Sequence, residues 1–247
     1  MKVLITGASS GIGRDLAREF AKLNYDLVIV ARDEERLNEL KQELNVNVEV
    51  IPLDLSKIEN CKKLYKQAKD IDILINNAGF GIFGEFCQTD LDREIDLINT
   101  NIIAVHTLTK LYLKDMWEKN SGMILNVSSI AGNMPGPLMA AYYSSKAYVL
   151  RLSEAIREEL RKKKSKVQIS VLEPGPVDTN FNNVANVKFG VSSLSSEYVA
   201  KYTVKQLLKG KFSIVPGFKI KCLKFIAKVI PNKVIVRFVY FTQKRKR

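Results

Sequence analysis

Residues 140–149 read AAYYSSKAYV and set two tyrosines three and four positions before a lysine. On a helix, Tyr142 and Tyr143 are both neighbours of Lys146, because positions i+3 and i+4 share a face. A phenol beside an ammonium can exchange protons with a reacting oxygen. A free tyrosine titrates at about 10, too high to cycle easily near neutrality. Lowering that by about 3 units requires about 4 kcal/mol, much of which a nearby cation in a poorly solvated site can supply. The same spacing also suits plain packing, with two aromatics on a core and a lysine stem over them.

A second stretch, TGASSGIG (6–13), follows an apolar run and opens a helical pattern. Gly7, Gly11 and Gly13 let the backbone turn tightly and approach a pyrophosphate. The amides of Gly11, Ile12 and Gly13 at the helix start face an anion, and Ser9 and Ser10 add hydroxyl donors. The next apolar run ends in Ala31-Arg32-Asp33. Arg32 forks onto a ribose 2′-phosphate, with Arg14 as a second positive charge, whereas Asp33 would accept from a free 2′-hydroxyl. The arginines favour NADP(H) over NAD(H). Asp54-Leu55 ends a third run and is placed to meet the adenine ring. NNAG (76–79) ends a fourth, where Gly79 would let backbone pass close to the cofactor and Asn76 and Asn77 would tie loops to neighbouring strands; Asn77, Ala78 and Gly79 are expected at the cofactor.

These residues need a scaffold that brings strand ends together. KVLIT (2–6), DLVIVA (26–31), VEVIPL (48–53), DILIN (72–76), GMILNVS (122–128), VQISVLE (167–173) and FSIV (212–215) read as strands. They are near-continuous in Val, Ile and Leu, as strands buried on both faces must be. Helical patterns fall between them, at about 11–24, 34–44, 56–69, 90–118, 141–164 and 195–209. The alternation predicts an α/β fold: one Rossmann-like, doubly wound parallel sheet with helices on both faces. Ligands then bind beyond the carboxyl ends of the strands. Residues 1–216 are expected to form one dinucleotide-binding and catalytic domain, and 217–247 a basic amphipathic extension rather than a second domain.

Taken together, TGASSGIG, Asp54-Leu55, NNAG, Asn101, NVSS (126–129), YYSSK (142–146) and PG (174–175) resemble the short-chain dehydrogenase/reductase family over about residues 1–180. The resemblance implies nicotinamide-dependent oxidoreduction at a carbonyl or alcohol. The family's Tyr-x-x-x-Lys pattern selects Tyr142 as general acid/base, and its serine, 13 residues earlier, selects Ser129 over Ser128. Lys146 would hold the nicotinamide ribose and favour the tyrosinate. Ser129 would orient the substrate oxygen. Asn101 would hold a water that links the lysine to solvent, with Asn99 a near rival. Pro174, Gly175, Val177 and Thr179 would cradle the nicotinamide amide. A homodimer or homotetramer through the helices at 90–118 and 141–164 is implied too. The alternative is a nucleotide-binding regulatory protein that has retired its chemistry, since a fold alone does not fix function.

Met134, Pro135, Leu138, Met139, Phe181, Phe80, Ile82 and Phe83 are expected to line an apolar pocket for a lipophilic carbonyl or alcohol. Composition is that of a globular protein, 46% hydrophobic and 26% charged. Cys61, Cys87 and Cys222 form no CxxC pair and suggest reduced thiols in a cytoplasm. His106 is the only histidine, which excludes metal sites built on several imidazoles. MKVLI before the glycine turn is too short for a secretory core, so cytoplasmic localisation is expected.

The net charge of +13 is concentrated. No acidic residue follows Glu197, while the last 50 residues carry 14 Lys and Arg. The tail GFKIKCLKFIAKVIPNKVIVRFVYFTQKRKR contains no recognisable nucleic-acid module, and neither of its apolar runs reaches the ~18 residues of a spanning helix. Two readings follow. The tail folds over the pocket or an interface with its lysines solvated, or residues 218–247 attach peripherally to the inner face of an anionic membrane.

Overall fold

The computed structural model describes residues 1–179 and 193–244. Seven parallel strands form its sheet: β1 (Lys2–Thr6), β2 (Asp26–Ala31), β3 (Val48–Pro52), β4 (Ile73–Asn76), β5 (Met123–Val127), β6 (Gln168–Leu172) and β9 (Ser213–Ile214). Their spatial order is β3-β2-β1-β4-β5-β6-β9, so the order reverses between β1 and β4. A two-stranded pair, β7 (Val177–Asp178) and β8 (Leu194–Ser195), lies outside the sheet.

Side-chain alternation explains why both faces are apolar. In β1, Val3 and Ile5 join one core while Leu4 joins the other, and all three are fully buried. In β4, Ile73 and Ile75 face the first core and Leu74 the second. Helices α1 (Gly11–Ala21), α2 (Glu34–Glu43) and α7 (Ser196–Leu207) cover one face through Leu16, Phe20, Leu37 and Val204. Helices α3 (Ile58–Gln67), α5 (Val105–Lys119) and α6 (Ala140–Lys162) cover the other through Leu64, Leu108, Tyr112 and Leu160. Burying two apolar faces at once is what a short continuous Val/Ile/Leu run demands.

The helix expected over 90–118 is divided. It runs as α4 (Leu91–Ile98), a six-residue π-helical turn (Asn99–Ala104) and α5. Asp90 caps its start by accepting from the Arg93 amide at 2.8 Å. π turns are rare and widen the helix locally, and here the wide turn carries Asn101 toward the ends of the strands.

The chain ends in two helices, α8 (Phe218–Val229) and α9 (Asn232–Lys244). Ile230 is extended, with φ −78° and ψ 134°, as the residue before a proline must be, and this ends α8. Lys221, Lys224 and Lys228 fall within about 60° of one another on a helix, and one reading of the tail leaves its lysines solvated. The structure separates them. Lys224 turns inward onto Glu173 of the β6 end, with 15% side-chain exposure against 0% for the glutamate. Lys221 lies 5.6 Å from the centroid of the Tyr202 ring. A buried carboxylate with no other cation beside it among the described residues is the physical reason the middle lysine turns inward.

Candidate active site

The glycine turn leaves β1 beside the β4 end. Thr6, almost fully buried, accepts from the Asn77 and Ala78 amides at 2.9 and 3.0 Å through its hydroxyl. Asn77 donates its side-chain N–H groups to the carbonyls of Thr6 and Gly7 at 2.9 and 3.1 Å. Asn77 is thus a prop for the turn. Any side chain at Gly13 would overlap the Gly7 carbonyl and the Asn77 amide, so the helix start must lie flush on the turn. Ser10 stands at the N-cap of α1 in extended conformation without capping it, in contrast to Asp33 on α2. The first-turn amides at Gly11, Ile12 and Gly13 and the hydroxyls of Ser9 and Ser10 are left for an anion. These features fit a dinucleotide's pyrophosphate.

At the β2 end, Arg32 is exposed and forms no ion pair among the described residues, and the same holds for Arg14. Asp33 is occupied. Its carboxylate accepts from the Arg36 amide at 3.1 Å and pairs with the Arg36 guanidinium at 3.3 Å. Asp54 accepts from the Ser56 amide at 3.0 Å, which fixes the β3 exit, and Leu55 is core. Thr179 sits on the glycine turn itself. A Cβ at Gly11 would stand 2.9 Å from its methyl carbon. Val177 is buried and pairs with Leu194 across β7 and β8. The Pro174 carbonyl accepts from the Ile130 amide at 3.0 Å, joining the ends of β5 and β6. Gly175 lies under Ile220 of α8.

Geometry separates the paired candidates. Ser128 donates its hydroxyl to the Lys146 carbonyl at 2.7 Å, so it is spent on anchoring α6. Ser129 instead lies near enough to the Tyr142 phenol to pull its pKa down, and its hydroxyl donates to the Pro174 carbonyl at 3.4 Å. It also accepts from the Ala131 amide at 3.1 Å, which fixes its rotamer. Tyr143 accepts from Gln243 of α9 at 2.6 Å, and its ring lies on Gly136. The two tyrosine rings meet edge to face, 6.1 Å apart. Tyr142 therefore faces the serine and Tyr143 faces the tail.

Lys146 is buried and donates from Nζ to the Val127 carbonyl at 2.9 Å. Its Nζ is 5.8 Å from the Tyr142 ring centroid. Burial pushes its pKa down to about 8. Burial likewise pushes Tyr142 up to about 12, against a smaller opposing pull from Ser129. With the ammonium directed at a carbonyl, desolvation of the phenolate wins.

Asn101 is fully buried, whereas Asn99 is only half-buried. Asn101 pairs with the Phe80 backbone in both directions, at 3.1 and 2.9 Å, and donates to Ser145 at 3.0 Å. Both side-chain donors are used, so this side chain acts as a clamp between the β4 loop and α6. Gly79 must lack a side chain here, because a Cβ would stand 2.8 Å from Asn101 Oδ1.

Met139 packs with Phe83, Tyr142 and Tyr143 into an apolar wall beside the phenol. Met134 packs with Ala227, Ile235, Val239 and Tyr143. The Leu138 carbonyl accepts from the Gly84 amide at 2.9 Å, tying the two loops of this wall together. Phe181 lies outside the described residues. One group escaped sequence reasoning. Glu173, fully buried, accepts from Asn133 and Ser213 at 2.9 and 2.8 Å and pairs with Lys224. The available signal was an acidic residue closing an apolar strand just before Pro174-Gly175.

A model of the short chain dehydrogenase family matches residues 1–188. The chain belongs to this family. It is an oxidoreductase acting on CH–OH and C=O groups with NAD(P). An NADP-dependent 3-hydroxy acid dehydrogenase of Schizosaccharomyces pombe is 35% identical over 192 residues, 74% of this chain and 73% of that protein. A very-long-chain 3-oxoacyl-CoA reductase of Rattus norvegicus is 31% identical over 248 residues, 96% of this chain and 76% of that protein. A short-chain dehydrogenase from Sphingobium yanoikuyae, solved in complex with NADPH, superposes with a TM-score of 0.82 at 28% identity, covering 93% of this chain and 96% of that one.

Proposed function

We propose that the protein is an NADP(H)-dependent reductase of an apolar carbonyl compound, or the dehydrogenase of the matching alcohol, with Tyr142 as proton donor and acceptor. The observation that carries this is the convergence of Ser129 and Tyr142 beside the buried Lys146, with Ser129 near enough to the phenol to pull its pKa down. Ser129 presents a fixed hydroxyl to the substrate oxygen. Tyr142, with its pKa near 12, is protonated at neutral pH and gives its proton to the oxygen that becomes negative on reduction. Lys146 supplies a cation under the phenol and donors for ribose hydroxyls. A bound nicotinamide supplies the hydride and, when oxidised, a further positive charge.

NADP(H) is favoured by the accessible Arg32 and Arg14 and by the engagement of Asp33 with Arg36. A planar guanidinium matches a phosphate bidentately. The wall of Phe83, Met139 and Tyr143 suits an apolar substrate. The 3-hydroxy acids of the yeast relative and the 3-oxoacyl thioesters of the rat relative head the substrate panel. Association as a homodimer or homotetramer belongs to this proposal, through α4, α5 and α6, whose Leu91, Ile95, Trp117 and Tyr148 are exposed.

The test follows NADPH absorbance against apolar ketones and 3-oxoacyl thioesters, with titration of both cofactors by fluorescence. Turnover with NADPH is expected. Tight NADPH binding with no turnover on any compound would leave a nucleotide-binding regulator in its place.

A further inference from the structure

Helices α8 and α9 are inside out relative to a solvated surface. On α8, Phe218, Phe225 and Val229 fall within about 40° of one another and are 80, 70 and 67% exposed. On α9, Val234, Phe238 and Phe241 fall within about 60° and are 56, 63 and 65% exposed. The faces turned toward the protein are narrower: Ala227 on α8, and Ile235, Val239 and Gln243 on α9. Five aromatic side chains of the pair are exposed once Tyr240 is included. Soluble proteins rarely expose contiguous apolar surface on this scale without a use for it.

Charge identifies the occupant. Lys219, Lys221, Lys228, Lys233, Arg237 and Lys244 are exposed beside these stripes, and neither helix contains an acidic residue. A second copy meeting this face through a two-fold axis would set six cations against the same six. An anionic bilayer answers both features, taking phenylalanines among its chains and cations at its headgroups. No helix among the described residues is long and apolar enough to cross a membrane, and the stripes lie along the helices rather than around them. That is the geometry of a helix lying in the interface.

We propose that α8 and α9 form a docking face for an anionic lipid bilayer. The reverse side of α9 touches the site, through Gln243 on the Tyr143 hydroxyl and through Ile235 and Val239 beside Met134. Docking therefore sets the apolar wall of the pocket close to the lipid. Lys224 pins α8 to Glu173, so the face is held against the domain.

The test is flotation of the full-length protein with vesicles of phosphatidylcholine alone and of phosphatidylcholine mixed with phosphatidylserine. The protein should float with the mixed vesicles at low salt, and the bound fraction should fall about tenfold at high salt. The variant Phe225→Ser/Phe238→Ser should lose about tenfold in binding with an unchanged thermal midpoint, since both rings are exposed. Failure to float with mixed vesicles at low salt would overturn the proposal. So would equal binding by the variant, or equal binding to both kinds of vesicle. A dimer in light scattering that the variant dissociates, with no vesicle binding, would assign the face to a second copy instead.

Discussion

Tyr142 and Tyr143 are adjacent in sequence, yet they face different residues. One phenol meets Ser129 beside a buried lysine, and the other is tied to Gln243. A proton donor must be protonated to act. With Tyr142 raised to about 12, reduction should hold level through neutral pH and decline only on the alkaline side. Oxidation needs the tyrosinate and should climb with pH over the same range. Initial rates in both directions across pH check this, and an acid-side loss of oxidation without an alkaline gain would contradict it. Arg32 supports a second prediction at this scale. Arg32→Glu should weaken NADPH about a hundredfold by removing a charge-assisted phosphate contact, while NADH binding changes little. Fluorescence titration reads both, and a native protein with equal affinities would contradict the assignment. The proposed choice of tyrosine rests on the four-residue offset to Lys146 together with the family pattern, both present in the sequence. The state of its proton was not, because desolvation and the Lys146–Val127 hydrogen bond are properties of the folded site.

At the scale of elements, the sequence was clearest where burial is complete. Every main strand lies where its Val/Ile/Leu run does, because both faces of the sheet are covered. The π-helical turn at Asn99–Ala104 was not legible, since NTNIIA keeps an ordinary helical pattern and the turn is set by how Asn101 grips Phe80 and Ser145. The inward lysine was equally hidden. Lys224 and Glu173 are 51 residues apart, and nothing local marks them as partners. Lys224→Met leaves a buried carboxylate without its cation and should cost about 3 kcal/mol. The double variant Glu173→Gln/Lys224→Met removes both charges and should cost less. Denaturant melts of the native protein, Lys224→Met, Glu173→Gln and the double variant measure the difference, and additive losses would show that the pair is not coupled.

For the whole molecule, the order of strands matters most. β1 and β4 are neighbours although two strand–helix units separate them in sequence, so the glycine turn and NNAG meet at the reversal. The β5 end with Ser129 lies one strand further on, and α6 brings Tyr142 and Lys146 to it. The positive excess of the last 50 residues is the other global feature. Seven of its 14 cations lie on α8 and α9; that run was visible as sequence, but the outward turn of the aromatic rings beside it appears only in the fold. Assembly is predicted at this scale. Static light scattering should give the mass of a dimer or tetramer, and Ile95→Lys/Trp117→Lys should reduce it by placing charges on the exposed faces of α4 and α5. A native monomer would contradict the proposed association.

The most direct measurement compares NADPH consumption by the native protein, Tyr142→Phe and Tyr143→Phe with one apolar ketone that the native protein turns over. Removal of a general acid costs about a hundred- to ten-thousandfold. Tyr142→Phe should fall by that factor while NADPH still binds, and Tyr143→Phe should keep most of its rate. Loss of activity in Tyr143→Phe with Tyr142→Phe still active would contradict the account.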